Sequence, residues 1–161
     1  MIKLKSEADL KIMREGGKRL ATILRDVASV ARPGVSAKTL DDLAYKLIKE
    51  GGDEPSFLNY TPPAAPSDYG GGKHKFPASL CVSINDTIVH GIPTEDKILK
   101  TGDTVGLDLG LKHKGFFLDM AITIVVGLES GESDRLLAVT REALMAGIKA
   151  AAPGMPLGAV S

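Results

Sequence analysis

The chain has 161 residues, carries 20 Lys and Arg against 20 Asp and Glu, and is 43% hydrophobic. This composition is typical of one soluble globular domain with a sizeable core. The balanced charge gives no electrostatic basis for binding nucleic acid or an anionic membrane, so a small neutral or peptide ligand fits better. The single cysteine excludes an internal disulfide framework and is compatible with a reducing cytosol. No apolar leader and no run of about 18 apolar residues occurs, so we expect neither export nor membrane insertion.

Two amphipathic helices are predicted in the first third of the chain. Ser6, with Asp9 three residues further on, has the pattern of an N-cap and capping box, and this helix is predicted to stop at Arg32-Pro33-Gly34. Ser36 is the next predicted N-cap, and the second helix is predicted to end at Gly51-Gly52. Apolar residues at spacings of three and four predict the core-facing stripes. These stripes are Leu10, Met13, Gly17, Leu20, Leu24, Val27 and Ala31, then Leu40, Leu43, Ala44, Leu47 and Ile48.

Residues 53–75 are rich in proline and glycine, which indicates a long loop of the kind that forms a lid or the rim of a site. The following run, 76–93, is interpreted as a β-hairpin that turns at Asn85-Asp86. Such a turn would place Cys81 opposite His90 on one face. A Cys-His pair is compatible with a thiol nucleophile. A cysteine among Leu, Val and Ile is more often a small buried hydrophobe, however, and His90 alone is equally compatible with a packed structural histidine.

The stretch from Thr104 to Val126 is the most informative part of the sequence. Two alternating, β-rich runs flank Lys112-His113-Lys114-Gly115, which predicts a second hairpin. A turn centred on His113 and Lys114 places Asp108 directly opposite Asp119, with Cβ atoms roughly 5 Å apart. One face of this hairpin is continuously apolar and is predicted to be core. It carries Val105, Leu107, Leu109, Leu111, Phe116, Leu118, Met120, Ile122 and Ile124.

The opposite face carries Asp108 and Asp119 among small residues that leave space above the carboxylates. A solvated hairpin is disfavoured, because a bare polar face usually carries Lys, Thr and Glu rather than glycine. A proton-sharing aspartyl dyad is weaker still, because Asp108-Leu109-Gly110 lacks the hydroxyl residue expected between Asp and Gly. Metal binding is favoured, since opposed like charges need a cation, a shared proton or water. Carboxylate oxygens suit divalent cations such as manganese, iron or cobalt.

The C-terminal segment predicts a helix from Asp134 to about Ala151, capped by Ser130 or Ser133. Its predicted core side carries Leu137, Leu144, Ile148 and Ala151. Residues 31–34 and 151–154 end the first and last predicted helices with similar sequences, at a constant offset of 120 that also relates Leu24 to Leu144. This echo indicates an internal duplication whose second copy has just begun. We therefore expect residues 1–161 to form a single domain that is incomplete at its C-terminus.

Three segments in this order resemble type I methionine aminopeptidases. They are F-P-A-S-L-C-V-S-I-N-D-T-I-V-H-G-I-P at 76–93, G-D-T-V-G-L-D-L-G at 102–110 and F-F-L-D-M-A-I-T at 116–123, and G-G-D-E-P-S-F-L-N-Y at 51–60 adds to them. The resemblance covers the chain from the first helix onward. It implies an α/β (α+β) pita-bread fold, the creatinase/aminopeptidase-like fold, in which two pseudo-symmetric halves enclose a dinuclear metal site. From the resemblance we expect residues 1–161 to contain the first half and the start of the second.

The resemblance also implies roles for particular residues. Asp108 and Asp119 match two metal ligands, and His90 matches a catalytic histidine that hydrogen-bonds the substrate near the scissile bond. Cys81 and Phe76 match positions that line the methionine side-chain pocket. The implied reaction is removal of an initiator methionine before a small second residue, with water activated by two divalent ions: cobalt, manganese, iron or zinc. The implied setting is a monomer in the cytoplasm that acts on nascent peptide N-termini at the ribosome, with no nucleic-acid specificity and no membrane.

Two departures from the family pattern affect these expectations. Residues 64–75 form a longer connection than the family's usual one before Phe76. The family's remaining ligands, one histidine and two glutamates, and a second catalytic histidine come from a C-terminal half that this sequence lacks. We therefore expect the chain alone to be inactive. The alternative is a non-catalytic peptide-binding or interaction module on the same fold, but the presence of Asp108, Asp119 and His90 favours the enzyme.

Overall fold

A computed structural model describes residues 4–61, 75–127 and 131–160, and the chain divides after Gly127 into two compact units. The first unit contains helices α1 (Glu7–Val30) and α2 (Ala37–Glu50) and strands β1 (Glu54–Pro55), β2 (Leu80–Ile84), β3 (Thr104–His113) and β4 (Phe116–Val125). The second unit contains helix α3 (Gly131–Ala150) and a short 3₁₀ helix (Leu157–Ala159). No helix in the described ranges is both long and apolar enough to cross a membrane.

The ends of α1 and α2 confirm the predicted caps. The Ser6 hydroxyl accepts from the Asp9 amide at 3.2 Å, and the Asp9 carboxylate accepts from the Ser6 amide at 2.9 Å, which is a complete capping box. Ser36 accepts from the Thr39 amide at 3.1 Å at the start of α2. The buried stripe of α1 passes through Gly16 and not the predicted Gly17. A β-carbon at Gly16 would collide with the hairpin beneath it, which explains why this position is a glycine.

Strand β3 is the centre of the sheet. It pairs with β4 along one edge, while β2 and β1 follow one another along its other edge, all antiparallel. Helices α1 and α2 pack on one face of this sheet and form the core with it. The buried core residues from the sheet are Leu80, Val82, Val105, Leu107, Leu109 and Leu111, and Val126 directly follows β4. Those from the helices include Leu20, Leu24, Val27, Leu40, Ala44 and Ile48.

The β3–β4 hairpin turns one residue later than predicted. The two turn residues are Lys114 and Gly115, which have φ of 46° and 89°, as a type I′ turn requires. Asp108 therefore lies opposite Ala121, and Asp119 lies opposite Gly110, so the predicted direct opposition of the two aspartates is wrong. Because the register differs by two residues, each side chain still lies on its predicted face. The aspartates are diagonal neighbours on the face away from the helices.

Most of the predicted apolar face is core: the valine and three leucines of β3 are buried, and Leu118, Ile122 and Ile124 of β4 pack against them. Phe116 is half-buried and outside this cluster. Met120 is exposed, because β4 is the outer strand of the sheet. His113 follows the buried leucines of β3 on the same face and is itself buried.

The predicted hairpin over residues 76–93 is wrong. β2 pairs with β3, and the chain from Asn85 to Pro93 forms no strand. Asn85 does begin a turn, with φ of 53°, but its side chain bonds the start of β3 by accepting from the Thr104 amide at 3.0 Å. Two backbone bonds join the returning chain to β2: the Val82 amide donates to the Gly91 carbonyl at 2.8 Å, and the Thr87 amide donates to the Ile84 carbonyl at 3.1 Å. Of the loop predicted at residues 53–75, residues 54–55 form β1 and residues 62–74 lie outside the described residues.

Helix α3 begins three residues earlier than predicted, so Ser133 lies in its first turn and does not precede it, while Ser130 is outside the described residues. No described residue of α3 is buried, so the predicted core side at Leu144 and Ile148 is exposed. The predicted similarity between the ends of the first and last helices is also present in the backbone conformation. α1 and α3 end at positions 30 and 150, and Gly34 and Gly154 that follow them have φ of 90° and 83°.

Candidate active site

Asp108 and Asp119 lie at the middle of β3 and β4 on the open face of the sheet. Burial, together with the Asp119 charge and a hydrogen bond with Asp119, raises the pKa of Asp108 to about 6. The Asp108 Oδ1 atom is buried and has no hydrogen-bond partner among the described residues. A buried, unpartnered carboxylate oxygen beside a second carboxylate fits a divalent cation, which would satisfy the oxygen and cancel the repulsion.

One cavity of about 460 Å³ joins the five residues that the sequence singles out. Both aspartates line it, and so do His90, Cys81 and Phe76. Its other lining residues are Phe57, Tyr60, Lys75, Pro77 and Ile92. The cavity therefore combines an acidic floor with an apolar wall, a combination suited to a substrate with one apolar group next to a polar reacting centre.

Cys81 lies on β2 directly opposite Asp108, and not opposite His90 as predicted. Its thiol is buried, and burial raises its pKa to about 12, with the charges of Asp108 and Asp119 adding to the effect. A thiol in this state is neutral at physiological pH. Cys81 is thus a small wall residue, and the thiol-nucleophile interpretation has no support.

His90 lies on the loop after β2 and is exposed at the cavity. The sequence was also compatible with a packed structural role for His90, and its exposure rules that interpretation out. Its backbone has φ of 56°, in the left-handed region, where non-glycine residues are uncommon. The neighbouring Gly91 is buried against the backbone of Val82 and Ser83, where a β-carbon would collide. This close approach anchors the loop to β2 and fixes where His90 stands.

The apolar wall is formed by Phe57 and Phe76, whose rings meet edge to face with centroids 6.5 Å apart and an interplanar angle of 86°. Two backbone bonds hold the segments together: the Asn59 amide donates to the Phe76 carbonyl at 2.8 Å, and the Phe76 amide to the Tyr60 carbonyl at 2.9 Å. Sequence reasoning missed Phe57 and Tyr60. The available signal was their place in P-S-F-L-N-Y, the segment noted for its family resemblance.

Asp41 is a third residue that sequence reasoning missed. It lies on the buried side of α2, and its Oδ1 accepts from the amides of Ser79 at 2.8 Å and Leu80 at 3.1 Å. These bonds fix the start of β2, the strand that carries Cys81. A carboxylate on an otherwise apolar helix face was the sequence signal.

A separate charged cluster lies at the other face of the sheet. The His113 Nδ1 atom lies 2.7 Å from Asp53 Oδ1, and Arg19 Nε donates to Asp53 Oδ2 at 2.8 Å. Glu15 lies 3.5 Å from His113 Nε2 and is paired with Lys114 at 2.9 Å. These residues line a second cavity of about 440 Å³. They tie the end of β3 to α1 and α2 and do not reach the aspartate pair.

Over the described ranges, no group of three or more His, Cys, Asp and Glu side chains converges in a way that could hold a metal ion. The aspartate pair alone supplies fewer side chains than the three or four that usually ligate a tightly held metal. A metal ion held by Asp108 and Asp119 would therefore need further ligands beyond the described residues.

The sheet with its paired carboxylates and apolar wall has the features of a metal-dependent peptidase. The profile of metallopeptidase family M24 matches residues 11–161, and the chain belongs to that family. Membership implies divalent metal cofactors.

The curated relatives bear methionine aminopeptidase names, which confirms the resemblance seen in the sequence. Methionine aminopeptidase of Aquifex aeolicus is 39% identical over 160 residues, which cover 99% of this chain and 59% of the relative. Methionine aminopeptidase 1 of Mycobacterium tuberculosis is 40% identical over 150 residues, covering 93% of this chain and 52% of the relative. The chain thus spans between half and three fifths of the length of these relatives.

A solved structure confirms the fold. The crystal structure of methionine aminopeptidase from Thermotoga maritima matches with a TM-score of 0.85 and 34% identity, covering 99% of this chain and 59% of that one. The predicted pita-bread architecture is therefore confirmed.

Proposed function

We propose that the chain carries part of the active site of a methionine aminopeptidase, which removes the initiator methionine from nascent proteins. The observation that carries the proposal is the convergence of Asp108, Asp119, His90, Cys81 and Phe76 on one cavity. Its acidic floor and apolar wall lie side by side, as a substrate with an apolar side chain next to the bond to be cut requires. The names of the relatives support the same reaction.

Each residue has a distinct proposed role. Asp108 and Asp119 hold the metal centre, which we propose to contain two divalent ions: cobalt, manganese, iron or zinc. Bound there, the ions would supply Lewis-acid catalysis and an activated water. His90, held at the cavity by the anchored loop, hydrogen-bonds the substrate close to the scissile bond. Cys81 and Phe76 line the pocket for the methionine side chain. Cys81 contributes a small neutral side chain, and Phe76 contributes an aromatic ring.

We further propose a cytoplasmic monomer that acts on nascent chains emerging from the ribosome. The lone, buried thiol and the balanced charge of the chain support a reducing compartment and a substrate that is neither nucleic acid nor membrane. The non-catalytic module is not favoured, because the three residues proposed for metal binding and catalysis all line the cavity.

The experiment compares hydrolysis of a Met-Ala-Ser peptide by the 161-residue chain and by an extended form that continues its reading frame, each with manganese or cobalt. We expect methionine release by the extended form and none by the 161-residue chain, whose described residues bring only two carboxylates together. Two metals bound tightly by the chain itself, with turnover, would contradict the second expectation. A stop codon directly after Ser161, or no release by the extended form, would favour the non-catalytic module.

A further inference from the structure

Gly110 lies on β3 at the edge of the candidate site. It is two residues beyond Asp108 on the same face and pairs with Asp119 across the β3–β4 ladder. It is buried, and its backbone is not in the left-handed region, so no turn or bend requires a glycine here. The reason for the missing side chain must therefore lie in what packs above it.

The space above Gly110 is filled by Phe57. A β-carbon built on Gly110 would lie 2.5 Å from Phe57 Cε1 and 2.9 Å from its Cζ, and would also collide with the Ser56 hydroxyl. Real β-carbons do not approach other heavy atoms this closely, so any other residue at position 110 would move the Phe57 ring.

The backbone below the ring has little freedom to adjust. The Ser56 amide donates to the Gly110 carbonyl at 3.1 Å, and Pro55 pairs with Leu111 in the β1–β3 ladder. A side chain at position 110 would therefore push the Phe57 ring away from the strand. The backbone of residues 55 and 56 would stay in place. Phe57 meets Phe76 edge to face, and both line the cavity, so that displacement changes the apolar wall.

Gly106 provides an internal comparison. It lies on the same strand and the same face, two residues on the other side of Asp108. A β-carbon there would lie 3.6 Å from Ser83 Cβ and 3.7 Å from the Ser83 carbonyl oxygen, which are ordinary contacts. The two glycines are thus alike in backbone and position but differ in whether a side chain could be added.

We propose that Gly110 is a positioning residue for specificity: its missing side chain seats the Phe57 ring on the strand and so sets the width of the apolar pocket. That pocket takes an unbranched side chain, either thioether or alkyl. The inference rests on the proposed function in assigning the pocket to the first side chain of the substrate. Gly110 contacts neither the substrate nor the reacting atoms, and acts through Phe57.

The experiment uses Gly110→Ala, with Gly106→Ala as the matched control and Phe57→Leu, alone and combined with Gly110→Ala, as the compensating change. Binding of L-norleucinamide to the 161-residue chain is measured by NMR titration. The same NMR experiments report the contacts between the Phe57 and Phe76 rings. In the extended form, KM and kcat are measured on Met-Ala-Ser, and manganese affinity is measured by calorimetry.

We expect Gly110→Ala to weaken norleucinamide binding and raise KM about tenfold, the lower end of the effect of a one-methylene misfit in an apolar pocket. The expected changes in kcat and manganese affinity are less than twofold, because the aspartates do not move. Gly106→Ala should match the parent chain. The double variant should recover most of the lost binding, since leucine is shorter than phenylalanine, and a merely destabilised sheet would not be rescued in this way. Phe57→Leu alone should improve binding of branched L-leucinamide relative to L-norleucinamide.

Equal effects of Gly110→Ala and Gly106→Ala on norleucinamide would overturn the inference, as would no binding of norleucinamide by the parent chain. If Gly110→Ala does not fold, an unchanged preference between norleucinamide and leucinamide in Phe57→Leu overturns it instead. Failure of the proposed function has a different signature: norleucinamide binds with the expected pattern, but no form releases methionine.

Discussion

Asp108 lies directly opposite Cys81 across the β2–β3 ladder, so a carboxylate of the proposed metal centre lies beside the thiol of the cavity wall. Burial is the main cause that raises the pKa of Cys81 to about 12, and the Asp108 charge adds to it. The thiolate is the reactive form of cysteine, so this environment protects the thiol from alkylation and oxidation.

We therefore expect iodoacetamide to label native Cys81 at pH 8 at least about 100-fold more slowly than the same cysteine in the urea-denatured chain, since a pKa near 12 leaves little thiolate. Labelling is followed by mass spectrometry, and the denatured chain is the matched control because it has no other thiol. Asp108→Asn should speed labelling only modestly, because burial remains. Comparable native and denatured rates would show that the strand pair opens readily and that Cys81 is not a buried wall residue.

The second prediction concerns the charge of Asp108. Its Oδ1 is buried and has no hydrogen-bond partner in the described part of the chain, and the Asp119 charge raises its pKa. Asp108→Asn should therefore raise the melting temperature of the metal-free chain at pH 7 by removing like-charge repulsion. The same change should lower manganese affinity in the extended form by about tenfold or more, because even outer-shell partners of metal ligands have effects of that size.

Melting curves with manganese and with EDTA provide the measurement. Asp86→Asn, at an exposed turn, is the control and should behave like the parent chain in both conditions. An Asp108→Asn variant that binds manganese as tightly as the parent would remove Asp108 from the metal centre.

The third prediction is that His90 acts on the substrate and not on the metal. In the extended form, His90→Asn should lower turnover on Met-Ala-Ser by about two orders of magnitude while metal content is unchanged. Asparagine is chosen because it tolerates the left-handed backbone at this position, where φ is 56°. Val89→Ala, at the exposed neighbouring position, is the control. Loss of bound metal in His90→Asn would show that His90 is a ligand instead.

The face of the sheet that bears the site was predictable, but its register was not. Alternation has a period of two, so a register error of two residues left Asp108 and Asp119 on the correct face. The turn position depended on which two residues of Lys112 to Gly115 take positive φ, and Gly115 favours the later pair. Pairing of β2 with β3 was missed for a different reason. Its partner lies about 25 residues away, and local turn chemistry favoured a nearer one.

The contacts that form the pocket wall could not be predicted from local sequence patterns. Phe57 and Phe76 meet because backbone bonds join segments separated by a long connection, and no spacing rule relates them. Cys81 and His90 do reach the same cavity as expected, but through a loop anchored by the close approach of Gly91 and not through a hairpin. Side-chain contacts between segments distant in sequence are set by the whole fold.

The fourth prediction tests how β2 is held. Asp41→Asn replaces a carboxylate that accepts from two backbone amides, so we expect a loss of about 1–3 kcal/mol in the free energy of unfolding, measured with urea. The adjacent Asp42→Asn is the control. Asp42 is exposed and forms an ion pair with Lys38, so its loss should be below about 1 kcal/mol. Equal losses for the two variants would show that Asp41 does not determine the position of β2.

The last prediction concerns acid stability and the cluster at the end of β3. Burial alone would raise the pKa of Asp53, but its hydrogen bonds with His113 and Arg19 and their charges outweigh that effect and hold the pKa below its usual value of 3.8. A carboxyl whose pKa is lower in the folded state stabilises the fold above its unfolded pKa. That contribution disappears as the pH falls through the folded pKa, so the affected range lies below about pH 4.

We therefore expect Asp53→Asn to lower the melting temperature at pH 7 and to flatten the decline below pH 4 that the parent chain shows. The physical reason is that Arg19 and buried His113 lose the carboxylate that both bond. Glu54→Gln is the matched control, because Glu54 is the next residue but is exposed and forms an exposed ion pair with Lys112. Its acid profile should follow the parent. Manganese affinity should not change in either variant, because the cluster and the aspartate pair occupy opposite faces of the sheet. An unchanged acid profile in Asp53→Asn would mean that other carboxylates determine the acid limit of this fold.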